Sequence, residues 1–177
     1  MRWNEIKNEP CSIARTLSVI GDRWTILIIR NAFLGIRRFD DFQAQLDVTR
    51  HLLTDRLGQL VAEDILYKAP YQEKPVRYEY KLTSKGKELY PVLMTLVSWG
   101  DKWMVTEAGV PLEYLDRRTG RPIDPILVDG NTGEPIKANR VTFRPGPGLE
   151  KIARDPAFLE RWGHVMPEGF LDRDSDE

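Results

Sequence analysis

The chain has 177 residues, 41% of them hydrophobic, which is enough for one good core and a small second one. Its single cysteine, Cys11, excludes an intrachain disulfide and a cysteine-based zinc site, and two histidines are too few for a histidine-rich metal centre. No apolar run is long enough to span a bilayer and the N-terminus lacks the apolar core of a signal peptide, so we expect a cytoplasmic protein with no membrane partner.

The net charge is -1, but the charged residues are unevenly distributed along the chain. Residues 1–104 contain 16 Lys and Arg against 13 Asp and Glu, a net of +3, whereas residues 105–177 contain 10 against 14, a net of -4. A basic surface is the usual sign of a nucleic-acid-binding protein. The excess in the first 104 residues is mild and supports only salt-sensitive binding.

Two helices are predicted at the start of the chain. Ser12 is a suitable N-cap for the first, in which Ile13, Leu17 and Ile20 recur at helical spacing. Asp22 can cap the second, RWTILIIRNAFLG, which is apolar over nearly its whole surface. A helix that is apolar on all sides is usually buried, so we expect the second helix at the centre of the core.

A short helix, a tight turn, a second helix and a hairpin are predicted next. The helices are FDDFQAQL and RHLLTDRLGQLVAED, with Thr49 as the N-cap of the second, and the strand-like runs are ILYKAPY and VRYEYKL. Helix, turn, helix and hairpin in this order are typical of a winged helix, whose second helix enters the major groove of DNA.

One face of this second helix is polar. With Leu53 on the core side and about 100° per residue, the opposite side carries His51, Thr54, Asp55 and Gly58, with Arg50 at the N-terminal end. Taken alone, the pattern also fits an ordinary amphipathic surface helix, and only the elements around it favour DNA.

Two basic residues, Lys74 and Arg77, lie at or beside the tip of the hairpin. A wing uses such side chains to reach phosphate or the minor groove. A charged surface hairpin without a partner is an equal alternative at this point.

A long helix, KGKELYPVLMTLVSWGDKWM, is predicted after the hairpin, with Thr83 or Ser84 as its cap. Pro91 should either bend this helix or mark the start of its regular part. Val92, Met94 and Trp99 widen its apolar stripe beyond what one core contact needs, which suggests that part of it faces another subunit.

Five segments together resemble the HxlR-type winged helix-turn-helix regulators, a MarR-like group, over roughly residues 8–104 without a gap. They are CSIARTLSVIGDRWTILIIR, RRFDDF, TRHLLTDRLxxLVxxxIL, YxLTxKG and LVxWGD. The resemblance implies an α+β fold with a winged helix-turn-helix domain and dimerisation helices at both ends of it. It also implies a homodimer that binds a near-palindromic double-stranded DNA operator with one recognition helix and one wing per subunit.

The resemblance assigns DNA contacts by position. In the groove it places Thr49, Arg50, His51 and Thr54, and closer to the DNA backbone it places Arg37, Arg38, Lys74 and Arg77. Asp55 joins this set if it accepts from a cytosine amino group or orients Arg50 or His51. Gly58 departs from the family, which often carries a long polar side chain there, so the operator sequence does not transfer from relatives.

Cys11 matches an N-terminal cysteine that senses oxidants or electrophiles in some members of the family. Sensing would need a lowered thiol pKa, which a helix N-terminus near Arg15 could supply. The favoured alternative is a small buried hydrophobic residue.

The last third changes to Gly, Pro and short β-branched runs, and a repeat appears in it. TGRPI at 119–123 and TGEPI at 132–136 are offset by 13 residues, among strand-like runs LEYL, DPILV and RVTFRP. We therefore predict a small β-rich extension at 105–148, followed by a short helical segment and an acidic tail at 149–177.

The extension also resembles the zinc-ribbon-like tail of some of these regulators, with the turn glycines present and the cysteines absent. A tetrahedral zinc site is not expected, and no other cofactor is indicated. So short a sheet must then pack on the winged helix or on the other subunit. Four aromatic residues are candidates for lining an apolar cavity, with burial in the core as the commoner alternative: Trp24, Trp99, Trp103 and Trp162.

The leading hypothesis is a dimeric transcriptional repressor of the winged-helix class, released from DNA by a small-molecule effector or a redox signal. The alternative is a protein-interaction adaptor built on a winged helix with weak DNA binding, which the acidic tail and Gly58 favour slightly. An enzyme is not expected, because the chain has no GxSxG, GxGxxG or P-loop motif.

Overall fold

The computed structural model describes residues 3–142, 146–150, 152 and 155–163. After a 3-10 helix at Trp3–Asn8, four helices precede a hairpin: α1 (Ser12–Ile20), α2 (Arg23–Phe33), α3 (Phe39–Leu46) and α4 (Arg50–Ala62). Strands β1 (Leu66–Glu73) and β2 (Val76–Leu82) follow, and then α5 (Ser84–Lys87) and α6 (Tyr90–Trp103). The remaining elements are a 3-10 turn at Ala138–Arg140, α7 (Pro147–Glu150) and α8 (Pro156–Trp162).

The caps of α2 and α4 are the predicted ones. Asp22 Oδ1 accepts from the backbone N–H groups of Trp24 and Thr25, at 3.0 and 3.2 Å. Thr49 Oγ1 accepts from Leu52 N at 3.3 Å. Each side chain satisfies N–H groups that have no partner inside the helix, and so fixes where the helix begins.

The predicted cap of α1 is wrong by one residue. Cys11 is the N-cap, in an extended conformation and without a side-chain cap hydrogen bond, and Ser12 is already helical. The cysteine backbone carbonyl accepts from Arg15 N at 3.0 Å, which starts the helix one position earlier than a hydroxyl cap at Ser12 would.

The turn between α3 and α4 depends on Asp47, whose φ of 49° lies in the left-handed region. An aspartate tolerates this conformation better than most residues do. Gln43 Nε2 donates to Val48 O at 3.3 Å and supports the same turn. The turn therefore brings α4 back across α3 as a helix-turn-helix requires.

Strands β1 and β2 form an antiparallel hairpin whose register runs from Leu66 opposite Leu82 to Glu73 opposite Val76. The register shifts between Pro70 and Gln72, where proline lacks the N–H that a regular ladder needs. The shift marks a bulge near the tip of the hairpin.

The predicted long helix after the hairpin is two helices instead. Thr83 Oγ1 accepts from Gly86 N at 2.9 Å and caps the short α5, which ends at Lys87. Pro91 lies in the first turn of α6, where a missing N–H costs nothing. Of the two predictions for Pro91, the start of the regular part is confirmed.

The core collects side chains from α2, α3, α4, β1 and α6 around the centre of α2. Ile28 and Ile29 of α2 are 1% and 0% exposed, which confirms α2 as the central helix. In α1 only Ile20 is buried, and Ile13 and Leu17 stay exposed. The other buried apolar residues are Phe42, Leu46, Leu53, Leu57, Leu60, Ile65, Leu66, Leu93 and Met94.

The 13-residue repeat of the extension is a structural repeat. In the first turn Gly120 N donates to Asp116 O, and in the second Gly133 N donates to Asp129 O, both at 2.7 Å. Both glycines have a positive φ, 66° and 73°, which glycine adopts without strain. The extension is therefore built from two copies of one turn.

The strands predicted around these turns are wrong: the structure has only isolated bridges in the described part of this segment, Leu115 with Pro122 and Val128 with Pro135. In each turn a proline occupies a bridging position and cannot donate to a ladder, so the pairing stops there. The predicted run at 140–145 and the acidic end at 171–177 lie partly or wholly outside the described residues. Within the described residues, no helix combines the length and the apolar content that crossing a bilayer requires.

Candidate nucleic-acid interface

The polar face of α4 is exposed as the sequence predicts. Thr49, Arg50, His51, Thr54 and Asp55 are all exposed, and the opposite side of the helix is buried in the core. The structure therefore brings the five predicted residues of this helix together on one open surface.

Two hydroxyl groups on this face already make hydrogen bonds within the helix. Thr49 Oγ1 accepts from Leu52 N as the cap, and Thr54 Oγ1 donates to Arg50 O at 2.8 Å. A hydroxyl oxygen that donates its proton still has lone pairs, so Thr54 can accept from a base amino group. Thr49 can still donate its own proton.

The Arg50 guanidinium lies over α3. Its carbon is 4.7 Å from the centre of the Phe39 ring, and Nη1 is 3.9 Å from Asp40 Oδ1. Its side chain is 74% exposed, so the ion pair is weak and solvated. Arg50 is therefore held near the N-terminal end of α4 by contacts that cost little to exchange for a base or a phosphate.

Arg37 and Arg38 attach to the edge of the hairpin. Arg37 O accepts from Tyr80 N at 2.7 Å, and Arg38 pairs with Glu79 as an isolated bridge. The Arg38 guanidinium carbon lies 4.5 Å from the centre of the Tyr71 ring. The segment before α3 is thus fixed to the hairpin, which places two exposed arginines beside it.

Lys74 and Arg77 occupy the tip of the hairpin and are exposed. Gln72 Nε2 donates to Lys74 O at 3.1 Å across the tip. Neither cation makes an ion pair within the part of the chain that the structure describes. Both are therefore available to an anionic partner.

The basic edge of the hairpin is weaker than the sequence suggests, because Glu79 neutralises part of it. Lys81 Nζ lies 3.0 Å from Glu79 Oε2, and Arg38 Nε lies 3.9 Å from Oε1. The hydrogen bond from Lys81 lowers the pKa of Glu79, with smaller contributions from Arg38 and Arg37, so this carboxylate stays charged.

Asp22 and Arg56 form a link that sequence reasoning missed. Arg56 Nε on α4 lies 3.1 Å from Asp22 Oδ1, the same oxygen that caps α2, and the arginine side chain is only 23% exposed. A signal was present, since Arg56 follows the core residue Leu53 by three positions, and this spacing places it beside the buried face of α4. The pair ties the candidate recognition helix to the central helix.

Gly58 leaves a gap on the exposed face of α4. A β-carbon built there meets no atom within 4 Å, so a side chain fits. We expect Gly58→Ala to raise the free energy of unfolding by up to about 1 kcal/mol, because glycine is that much poorer than alanine inside a helix. Urea unfolding measures this change, and destabilisation by alanine would contradict the open environment described here.

Two aspartates organise the turns of the extension through hydrogen bonds within each turn. Asp116 Oδ1 accepts from the N–H groups of Arg118 and Thr119, and Asp129 Oδ1 accepts from Asn131 N at 2.9 Å. The Arg118 side chain and backbone lower the pKa of Asp116, and the Asn131 N–H lowers that of Asp129. Each carboxylate thus accepts hydrogen bonds within its own turn. A closed zinc site is usually built from thiolates and imidazoles, which these turns lack.

Comparison with known proteins gives concordant results. A family model described as HxlR-like helix-turn-helix matches residues 19–109. Rv3095 from Mycobacterium tuberculosis H37Rv, named an uncharacterised HTH-type transcriptional regulator, is 38% identical over 139 residues, which cover 78% of this chain and 88% of its own. That match is longer than the family match, so it includes residues outside 19–109.

Solved structures agree on the architecture. The crystal structure of PA1607, classed among transcription factors, superposes with a TM-score of 0.71 at 33% identity and covers 79% of this chain and 98% of its own. PA1374 from Pseudomonas aeruginosa, of the same class, gives 0.55 at 35% identity, with 85% and 99% covered. The chain has an α+β winged-helix fold and belongs to the HxlR-like helix-turn-helix family of transcriptional regulators.

Proposed function

We propose that the protein is a homodimeric repressor that places α4 in the major groove of a near-palindromic operator. One observation carries this proposal: α4 is capped at its N-terminus and exposes Arg50, His51, Thr54 and Asp55 together, and the hairpin that follows it exposes two cations at its tip. A helix with this arrangement reads base edges with its N-terminal residues.

The residues of this face have distinct chemical roles in the proposal. Arg50 donates two hydrogen bonds to O6 and N7 of guanine, and His51 contacts a neighbouring base or phosphate. Asp55 accepts from the N4 amino group of cytosine. Thr54 accepts from an amino group and Thr49 donates to phosphate through its hydroxyl.

Four cations position the protein on the DNA backbone in this proposal: Arg37, Arg38, Lys74 and Arg77. Contacts to phosphate release counterions, so affinity falls as salt rises. If a dimer uses all eight such residues, the slope of log K against log salt approaches about -7. A slope near zero would mean that these residues do not contact phosphate.

The dimer is proposed to form through α1 and α6. Ile13 is 72% exposed on α1, and Leu96, Trp99 and Trp103 are 54%, 59% and 66% exposed on α6. Large apolar side chains grouped on helices at the end of a small domain usually face a partner. A twofold axis there would present two recognition helices to half-sites about one helical turn, or a multiple of it, apart.

We expect Trp99→Glu to convert the dimer into a monomer and to weaken operator binding at least about tenfold. The charge would be buried without a partner in the interface, whereas in the monomer it meets water. Sedimentation velocity reports the oligomeric state, and circular dichroism checks that the monomer is folded. Tyr67→Glu, at an exposed position on β1 outside the proposed interface, is the control. A variant that remains dimeric would remove α6 from the interface.

Release from DNA is proposed to follow a small molecule. A ligand does this only by binding the DNA-free conformation more tightly, and a factor of 100 needs about 2.7 kcal/mol of differential affinity. A redox role for Cys11 stays a prediction: the thiol is half-buried at the start of α1. If Cys11→Ser releases DNA on oxidant treatment as readily as the parent does, Cys11 is not the sensor.

The direction of regulation is tested by transcription in vitro from the chain's own upstream region. A repressor lowers transcript yield as protein is added, and the dose matches the occupancy seen by footprinting. Increased yield at the same occupancy would make the protein an activator. Equal micromolar affinity for every duplex would instead favour the adaptor hypothesis.

A further inference from the structure

A cavity of about 490 Å³ lies between α2, α6 and the start of the extension. Its size falls within the range of sites that hold small organic ligands. It is partly open, so a ligand can enter without unfolding the domain around it. None of Trp24, Trp99 and Trp103 lines this cavity: Trp24 lines a different one, with Leu52 and Arg56, and Trp99 and Trp103 are exposed on α6. The Trp162 side chain lies outside the described residues.

The walls of the cavity are mostly apolar. Leu27 and Phe33 of α2 face Leu93 and Met94 of α6 across it. The rings of Phe33 and Tyr90 meet with their centres 5.1 Å apart, at an interplanar angle of 51°. Such a space suits a flat or compact hydrocarbon body.

The extension supplies the third wall. Leu112 and Leu115 line the cavity, although each is 49% exposed, and Tyr114 lies between them. A smaller cavity of about 170 Å³ is also lined by Met94 and Leu112, together with Ile123 further along the extension. Residues 112–115 therefore line two cavities that α6 also lines, and a ligand in the larger one would contact both the extension and the winged-helix domain.

Two arginines, Arg30 and Arg117, line the cavity, and neither forms an ion pair with a carboxylate in the described part of the chain. Arg30 is half-buried, and its Nε and Nη2 donate to Asn31 Oδ1 at 3.0 and 2.8 Å. These bonds fix the guanidinium and leave its other N–H groups unassigned. Arg117 lines the cavity from the extension, and Glu113 is the single acidic residue in the lining, so the charged residues there sum to +1.

We propose that this cavity binds a small organic acid with an apolar, preferably aromatic, body. The body lies between Phe33, Leu93 and Leu115, and the anionic group binds Arg30 and Arg117. Planar guanidinium groups are the side chains best matched to a carboxylate, since they donate two parallel hydrogen bonds. The ligand joins the extension to the winged-helix domain.

A route from this site to the candidate DNA interface is short. The residues that follow the cavity wall in sequence are Gly35 and Ile36, and then Arg37 and Arg38. Ile36 N donates to Asn31 O at 3.0 Å, so the segment is attached to the same turn of α2 that carries Arg30. This coupling rests on the proposed function, whereas the binding site itself does not.

The test uses isothermal titration of the full chain, without DNA, with 2-naphthoate and with uncharged 2-naphthalenemethanol. We expect 2-naphthoate to bind saturably with one molecule per chain, and the alcohol to bind at least about tenfold more weakly. Arg117→Ala should weaken 2-naphthoate binding about tenfold, because a charge-assisted hydrogen bond contributes about 1.5–3 kcal/mol. Arg121→Ala, an exposed arginine in the same turn that does not line the cavity, should leave affinity unchanged.

A second variant fills the space. Leu34 lines the cavity and is 55% exposed, so Leu34→Trp should keep the fold and abolish binding. No saturable binding by the parent would overturn the proposal, as would equal affinity for the acid and the alcohol. Unchanged binding in both Arg117→Ala and Leu34→Trp would also overturn it. The proposal would also be overturned if Leu34→Trp changed the dissociation constant of the dimer and left 2-naphthoate binding unaffected. The partner subunit, and not a ligand, would then occupy the cavity.

Discussion

Arg50→Ala is expected to weaken binding to the specific operator at least about tenfold, while the protein keeps its fold. A bidentate arginine contact to guanine contributes about 1–3 kcal/mol of discrimination. The residue makes only an exposed ion pair and a ring contact in the free protein, so its loss should change the free energy of unfolding by no more than about 0.5 kcal/mol.

Fluorescence anisotropy with specific and scrambled duplexes measures this effect. Because a base contact adds specificity and a phosphate contact does not, the variant should lose more affinity for the specific duplex than for the scrambled one. Arg121→Ala in the extension is the matched control. Equal losses on both duplexes would reassign Arg50 to the phosphate backbone, and no loss would remove it from the site.

The second large effect is expected in stability, at Asp22. Asp22→Ala should lower the free energy of unfolding by about 2–3 kcal/mol, since it removes the cap of α2 and the partner of Arg56. Arg56 keeps some contact with water, so the loss is smaller than for a fully buried pair. At this chain length the melting temperature should fall by about 4–12 °C.

Asp22→Asn separates the two contributions. Asparagine caps a helix about as well as aspartate does, so this variant keeps the cap and loses only the charge. We expect roughly half of the destabilisation of the alanine variant, together with weaker operator binding, because Arg56 then no longer holds α4 against α2. Full stability in Asp22→Asn would mean that the ion pair contributes nothing.

The elements of the winged helix could be predicted because local chemistry determines them. The carboxylate of Asp22 and the hydroxyls of Thr49 and Thr83 mark helix starts, and Pro91 belongs in a first turn. Where two adjacent positions offered similar chemistry, as at Cys11 and Ser12, prediction was wrong by one residue. The helical spacing of Leu53, Leu57 and Leu60 was enough to orient α4.

Contacts between distant parts of the chain could not be predicted in this way. The close approach of Gly86 to the carbonyl of Ile65, which leaves no room for a β-carbon, is one such contact. Arg38 over Tyr71 depends on the bulge of the hairpin. The cavity forms where residues 112–117 lie beside α2 and α6, and no pattern within these segments indicates that they meet.

The repeat in the extension shows how a motif can be visible while its structure is not. TGRPI and TGEPI indicated two equivalent turns, and the hydrogen bonds of Asp116 and Asp129 explain why both need an aspartate three residues before the threonine. The strands predicted around them failed because Pro122 and Pro135 interrupt the ladders. Local turn chemistry thus determined more of the extension than strand propensity did.

The central claim is that α4 recognises a particular DNA sequence. A titration of the full chain with its own upstream duplex, in the presence of excess unrelated duplex and at several salt concentrations, tests it most directly. The account predicts binding at least about 1,000-fold tighter to the specific duplex, with affinity falling steeply as salt rises. Equal affinity for both duplexes at every salt concentration would contradict it.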